Sequence, residues 1–228
     1  MTAMMLALAA VPPAAALPSG AINETVRTAL LLTLLGFIPA LLVCTTSFVR
    51  ITVVLSMLRH AFGMPETPPN IVLLTLSLFL TLLSTGPALE AVADNGVRPF
   101  LAGQLALDTA AERSAAPLRD FMLRQVHDQD LATVYEIAHK PLPDRPQDVG
   151  IVQLVPAFML NELRTAFTIG FVVLLPFLLI DLVVSAILLS LGMLMVPPNT
   201  ISLPLKILMF VLIDGWGLLM RSVVGSFH

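Results

Sequence analysis

Charged residues are scarce in this chain. Only 12% of its 228 residues are charged, against 57% that are hydrophobic, whereas about a quarter of the residues in a soluble domain are charged. This composition excludes a soluble monomer. With 12 Lys and Arg against 15 Asp and Glu, the net charge is only −3, so the chain also lacks the basic face that nucleic-acid binding requires.

Cysteine and the common catalytic motifs are also missing or nearly so. The single cysteine, Cys44, cannot form a disulfide within the chain or build a cysteine zinc site. The four histidines lack the HExxH spacing, although His127 lies near Asp128 and Asp130. There is no glycine-rich phosphate loop and no G-x-S-x-G elbow. The sequence therefore predicts no enzyme activity, no metal and no cofactor.

Basic residues are absent before Arg27. Residues 4–16 form an apolar run that ends in three alanines and precedes Pro18 and Gly20, a pattern typical of a secretory signal and its cleavage zone. The usual basic start of such a signal is missing. We predict a signal peptide over residues 1–20, cleaved after about Ala16, with a flexible apolar tail as the alternative.

Long stretches with few charges predict membrane spans, because a helix needs about 20 apolar residues to cross the hydrocarbon core. Four stretches qualify: residues 28–49, 67–89, a span within 164–206, and about 203–224. The third carries a single internal charge, Asp181. The fourth is interrupted by Lys206, Asp214 and Arg221, each costly in lipid, so we expect surrounding protein to shield it.

Short-loop charges predict the orientation. Arg50 and Arg59 outweigh Glu66 in the turn between the first two spans, which places this turn in the cytoplasm. The N-terminus and residues 91–160 then lie outside, and the turn at 192–202 faces the cytoplasm.

The polar segment 91–150 predicts a small helical domain. Thr109 and Glu112 have the spacing of a capping box, Pro117 suits a first helical turn, and Asp130 could cap a short helix that extends through Ala138. An apolar stripe follows Pro117 at helical spacing: Leu118, Phe121, Met122 and Val126. No alternating strand pattern occurs anywhere in the sequence.

Prolines recur inside the predicted spans, at positions 39, 87, 176 and 204. A proline in a span frees a backbone carbonyl, which is tolerated where neighbouring protein or a water-filled cavity satisfies it. We therefore expect packing in an assembly. The predicted fold class is an all-α membrane protein with two proline-kinked helical hairpins, 21–90 and 156–228, flanking a helical periplasmic domain over 91–155.

Several ionisable residues lie in or near the spans. Asp181 and Asp214 lack the motifs of an intramembrane aspartyl protease, which leaves them as proton carriers or as structural hydrogen-bonding partners. Glu162 and Lys206 lie near span ends. Lys206 could extend to the interface, or the two could pair across helices or subunits.

The turn GMLMVPPN (192–199) differs from the other loops. Gly192 loosens the helix end and Pro197-Pro198 forces an extended exit, so Met193 and Met195 lie on an uncharged loop. Methionine is unbranched and adapts its shape, so several copies of this turn around a pore could close it and still yield to a passing chain. Ordinary lipid or core contact is the alternative.

At this turn a resemblance becomes evident. The runs IGFVVLLPFLLIDLVVSAILLSLGMLMVPPNTISLPLKILMFVLIDGW (169–216), TSFVRITVVLSMLRHAFG (46–63), PPN (68–70) and PLRDFMLRQ (117–125) resemble the FliP/SctR family of type III export-gate proteins. PLRDFMLRQ and the signal-like start favour the flagellar branch of that family.

The resemblance implies a core subunit of the flagellar export gate in the bacterial inner membrane, within the flagellar basal body. About five copies with FliQ-like and FliR-like membrane subunits, and other export-apparatus membrane proteins, would pass unfolded flagellar subunits. It also implies bent hairpins that are largely packed against other subunits, with the central domain on the periplasmic side.

The family's loop, usually Gly-Met-Met-Met before Pro-Pro, corresponds here to a run in which leucine replaces the middle methionine. The resemblance thus implies a pore gasket and a hinge or turn: the gasket is Met193, Leu194 and Met195, and the hinge is Gly192, Pro197 and Pro198. It also implies subunit-contact or gating roles for Arg124, Glu162 and Lys206. The rival hypotheses are a proton-coupled small-solute transporter that uses Asp181 and Asp214, and a structural scaffold for secretion proteins.

Overall fold

The computed structural model describes residues 33, 36, 37, 39–64 and 66–227. The predicted signal segment, residues 1–20, lies outside the described residues, as does the start of the first predicted span. The described residues contain helices and turns but no strand, which confirms the all-α class.

The helices are numbered here in chain order. They are α1 (Pro39–Thr45), α2 (Phe48–Ala61), α3 (Asn70–Val92), a π-helix (Ala93–Val97), α4 (Arg98–Leu101), α5 (Leu107–Gln125), α6 (Asp128–Ile137), a 3-10 turn (Pro146–Asp148), α7 (Ile151–Ser190), α8 (Pro198–Leu212) and α9 (Gly215–Val224).

Two helical stretches are long and apolar enough to cross a bilayer, Asn70–Leu101 and Ile151–Ser190. The number rises to four if each of two bent pairs counts as one span, α1 with α2 and α8 with α9; the second pair bends by 66°. The upper number equals the four spans predicted from the sequence. The first differs in its limits, because α2 continues beyond Arg50 to Ala61.

Proline does not end the helices in which it lies. Pro87 lies inside α3 and Pro204 inside α8, while α7 runs for 40 residues through Pro156 and Pro176. The predicted domain boundary at residue 155 lies inside α7, so one continuous helix joins the two sides of that boundary. The domain division itself stays a prediction.

The predicted helix starts in the polar segment are wrong. Helix α5 begins at Leu107 without a side-chain cap, so Thr109 lies within it and Pro117 lies in its interior. The helix begins two residues before the expected cap, and buried Ala110 in its first turn lies close to Gly96. Helix α6 begins at Asp128, two residues before the predicted cap Asp130. Its end at Ile137, with Ala138 as the C-cap, agrees with the prediction.

Two apolar clusters form the core. The first joins α2, α3, α7, α8 and α9 and includes Ile51, Val54, Leu55, Leu58, Leu73, Ala166, Phe177, Phe210 and Leu219. The second joins α3, α5, α6 and the beginning of α7 and includes Ala88, Phe121, Met122, Leu131, Tyr135, Leu154, Ala157 and Phe158. Phe121 and Met122 of the predicted stripe are buried, which confirms the apolar face of α5.

Substitution of Gly96 by alanine should destabilise the packing of the π-helix against α5. The π-helix lies so close to α5 that a Cβ on Gly96 would contact Ser114 Oγ and approach the Ala110 carbonyl oxygen to 2.7 Å. Because that oxygen belongs to the backbone, we expect a cost of about 1–3 kcal/mol in the thermal unfolding of the purified protein. Gly86→Ala in α3 is the control, because its Cβ would have no neighbour within 4 Å. Equal stabilities of the two variants would contradict the prediction.

Candidate functional site: the methionine turn and its buried charges

The methionine turn, defined as residues 191–197, begins with a hydrogen-bonded helix end. Gly192 N donates to Leu189 O (3.1 Å) and Met193 N to Leu188 O (2.9 Å). These are the two bonds of a Schellman motif. The Schellman motif requires a residue with a left-handed backbone conformation after the helix end, and Gly192 has φ 72°. This backbone conformation explains why glycine occupies the position predicted as a hinge.

The other end of the turn is set by two prolines. Pro197 precedes α8 and Pro198 is its first residue, a position where the missing N–H costs no helical hydrogen bond. Thr200 Oγ1 donates to Pro197 O at 2.7 Å. The turn therefore begins and ends on defined helix termini.

The side chains at the tip of the turn are exposed. Met193 is 43% exposed, Leu194 76% and Met195 95%. All three are apolar, and the described part of the chain leaves them largely uncovered. An assembly of several copies or a lipid surface is therefore needed to remove them from water.

Lys206 joins three helices behind the turn. Its Nζ donates to Asp181 Oδ2 of α7 at 2.7 Å and to the Ala61 carbonyl oxygen of α2 at 3.0 Å. The Lys206 side chain is 3% exposed and that of Asp181 is 32% exposed. The predicted shielding of this charge by protein is thus observed. Asp181 Oδ1 is buried without a hydrogen-bond partner in the described residues.

The pairing of Glu162 with Lys206, one of the alternatives left open by the sequence, does not occur within the chain, because Glu162 contacts Arg50 and Lys206 contacts Asp181. Arg50 Nε donates to Glu162 Oε2 at 3.0 Å, and Nη2 forms a second bond to Oε1. Both side chains are almost fully buried. A bidentate arginine–carboxylate pair of this kind satisfies both groups at once.

Arg50 also holds the end of the chain. Its Nη1 donates to the carbonyl oxygen and to Oγ of Ser226, both at 2.9 Å, and its guanidinium lies 3.9 Å from the ring centre of Phe227. Sequence reasoning missed this role. It placed Arg50 in a cytoplasmic turn, and no local pattern distinguishes a buried arginine at this position from an exposed one.

The remaining predicted charges are more exposed. Arg124 is exposed on α5 and has no hydrogen bond or ion pair within the described part of the chain. The Asp214 side chain is exposed, and the Asp214 backbone is in the left-handed conformation (φ 51°) between α8 and α9. Arg221 is exposed on α9. Within the described part of this chain, protein therefore shields Lys206, whereas Asp214 and Arg221 stay exposed.

A second polar network joins α6 to α7. Asp130 is buried and pairs with Arg164 at 2.7 Å. Asn161 Nδ2 donates to Gln125 O at 2.9 Å, and His127 Nδ1 contacts Asn161 Oδ1. These groups hold α6 against α7. Among the residues that the structure describes, no three His, Cys, Asp or Glu side chains are grouped to hold a metal.

Comparison with known proteins identifies the family. A model described as the FliP family matches residues 31–223. Three relatives carry the description flagellar biosynthetic protein FliP. The Pectobacterium carotovorum protein is 51% identical over 93% of this chain and 83% of its own length. The Caulobacter vibrioides protein is 43% identical over 96% and 86%, and the Bacillus subtilis protein 40% identical over 90% and 93%. With a match over most of its length, this chain belongs to the FliP family of flagellar biosynthetic proteins, structural components of the export apparatus that are not enzymes.

Proposed function

We propose that this chain is a pore-forming subunit of the flagellar export gate. Several copies would surround a passage for unfolded flagellar subunits, and the methionine turn of each copy would close the passage at rest. One observation carries this proposal. Met195 is 95% exposed and Leu194 76% exposed at the tip of a turn held between two ordered helix ends.

The chemistry of the turn suits a closure. Apolar side chains that meet in a narrow passage exclude water and therefore block ions by dewetting. Methionine has three rotatable bonds and a polarisable thioether, so Met193 and Met195 can move aside for a passing polypeptide and close again. Leu194 supplies apolar bulk with a branched, stiffer side chain.

Exposed apolar surface supports assembly. Outside the methionine turn, a groove of about 510 Å³ lies between α6 and α7 and includes Ile137 and Val152, which are 72% and 76% exposed. Such surface marks an interaction site in many proteins. We infer a ring of about five copies with FliQ-like and FliR-like membrane subunits, in the bacterial inner membrane at the flagellar basal body, with residues 91–155 on the periplasmic side.

The positions of the two aspartates do not support the transporter hypothesis. It requires both aspartates at a common site, yet Asp181 is held by Lys206 while Asp214 is exposed where α8 meets α9. In the described residues they share no hydrogen-bond or ion-pair partner. The family match does not support a small-solute substrate either. We therefore do not propose this function.

The test of this proposal shortens both methionine side chains of the turn. Met193→Ala with Met195→Ala should make the assembled gate leak ions, because alanine cannot fill the constriction. Ion conductance is measured in proteoliposomes or in cells that carry the assembled complex, and we expect it to rise several-fold while export continues. Because the exposed tip of the turn faces neighbouring copies in the proposed closure, intact assembly of the variant is checked by the size of the purified complex.

Met193→Leu with Met195→Leu is the matched control, since it preserves apolar bulk at both positions. This variant should stay closed to ions. If the alanine variant assembles and conducts no more than the leucine variant, the turn does not seal a pore, and the scaffold hypothesis becomes the better account.

A further inference from the structure

We propose that Lys206 is the positioning residue of the methionine turn. Its two contacts, to Asp181 and to the Ala61 carbonyl oxygen, would fix the place that the turn occupies relative to α2. The Lys206 junction is defined here as Lys206, Asp181 and the Ala61 carbonyl. This inference rests on the proposed function of the turn as a closure, and it adds which residue holds the closure in place.

The Lys206 junction lies at nearly the same distance from the ends of the two helices that flank the turn. Asp181 precedes the last residue of α7, Ser190, by nine residues, and Lys206 follows the first residue of α8, Pro198, by eight. At 1.5 Å per residue, the contact lies about 12–14 Å behind both helix ends. The turn therefore connects two helical segments of nearly equal length, and the ion pair joins these segments at the ends far from the turn.

The turn has little else to hold it. Its backbone bonds are local, such as Leu194 N to Gly192 O (3.0 Å) and Val196 N to Met193 O (3.5 Å), and the side chains at its tip are exposed. The location of the turn must therefore be set by the two helices that carry it, and the position of α8 against α7 and α2 decides that location.

An aromatic layer lies one helical turn behind the junction. Phe177 is four residues before Asp181, Phe210 is four residues after Lys206, and Phe62 follows Ala61 directly. Their ring centres are 5.1 Å apart for Phe62 and Phe177, 5.2 Å for Phe62 and Phe210, and 6.2 Å for Phe177 and Phe210. The hydrophobic effect is non-directional, and edge-to-face ring pairs tolerate centroid distances of about 4.5–7 Å. This layer therefore defines how far one helix slides along another less sharply than hydrogen bonds do.

The hydrogen bonds of Lys206 fix how far α8 can slide along α7 and α2. Each requires a donor–acceptor distance near 2.9 Å and a favourable angle, so a slide of α8 by even one residue would break both. A buried ammonium group is costly, and apolar residues would pack there more easily. Its presence is explained if the chain needs one alignment of the three helices rather than maximum stability.

The test measures the position of the turn directly. Spin labels are attached through His60→Cys, exposed at the end of α2, and Leu194→Cys, exposed in the turn, in a Cys44→Ala background. Labelled copies are diluted with unlabelled cysteine-free copies, so that the measured pair lies within one chain. We expect one narrow distance distribution for the parent, and a broader one shifted to longer distances for Lys206→Met.

A second variant separates positioning from stability. Asp181→Leu with Lys206→Met replaces the ion pair by apolar side chains of similar volume, which should preserve folding. We expect its distance distribution to be broadened as well. A distribution as narrow as that of the parent in the folded double variant would overturn the proposal, because it would show that packing alone sets the turn.

Arg221→Met is the matched control, since it removes a cation from the same hairpin. The Arg221 side chain is exposed and forms no hydrogen bond or ion pair with any other described residue. Its distribution should equal that of the parent; equal broadening in this control and in Lys206→Met would overturn the proposal. The distance readout does not depend on ion conduction, so failure of the pore assignment and failure of this inference are distinguishable.

Discussion

Replacement of Arg50 by methionine should destabilise the protein by about 3–5 kcal/mol, because it leaves the Glu162 carboxylate buried without its partner. Both side chains are almost fully inaccessible to water. The substitution also removes the hydrogen bonds to Ser226 and the contact with Phe227, so the end of the chain should detach from α2. Thermal unfolding of the detergent-solubilised protein measures the effect.

The double variant Arg50→Met with Glu162→Leu should recover most of the lost stability, because it removes both charges and keeps apolar volume. Arg124→Met is the control. Its side chain is exposed and unpaired in the described residues, so we expect a change within about 0.5 kcal/mol. If the double variant is less stable than Arg50→Met alone, an unpaired Glu162 is not the source of the destabilisation.

Truncation of Phe158 to alanine should also cost about 3–5 kcal/mol, the usual range for an aromatic residue in a core. The side chain is 1% exposed and lies edge-on to Phe121, with 6.0 Å between the ring centres. It belongs to the second apolar cluster, which joins the start of α7 to α5 and α6. The cavity left by the ring would therefore loosen the attachment of these helices.

Phe167→Ala on the same helix is the matched control, since this ring is 57% exposed. We expect a much smaller loss of stability in the same thermal measurement. Hydrogen exchange should locate the effect of Phe158→Ala in α5 and α6, with little change in α8 and α9. Equal losses for both phenylalanine variants would show that the second cluster is not a core of the protein.

Local sequence patterns predicted a helix correctly where a run of neighbouring residues is enough to require one. The charge-free run 67–89 became α3 (Asn70–Val92), because a long apolar stretch satisfies its own backbone only as a helix. Helix α6 ends at Ile137 with Ala138 as its C-cap, close to the predicted end at Ala138. The capping box at Thr109 failed, because α5 begins at Leu107 without a side-chain cap. Packing contacts, such as that of buried Ala110 near Gly96, leave no local signature.

The methionine turn was recognisable as a candidate site before the structure. Glycine, methionines and a proline pair in eight residues predict a flexible apolar loop, and the structure adds the exposure of the tip and the left-handed Gly192. The partners of the buried charges were not recognisable. The positions of Glu162 and Lys206 near span ends left pairing between them as one alternative, whereas within the chain Glu162 pairs with Arg50 and Lys206 with Asp181.

The sequence by itself thus determined the membrane class, the helical architecture, the methionine turn and the family, because composition, apolar run length and motifs are properties of neighbouring residues. Only the tertiary structure decided which charges are buried and what holds them. Arg50 and Glu162 are 112 positions apart, and Lys206 and Ala61 are 145 apart. Such pairs form only where helix packing brings the side chains together and removes them from water, and no single stretch of sequence contains that information.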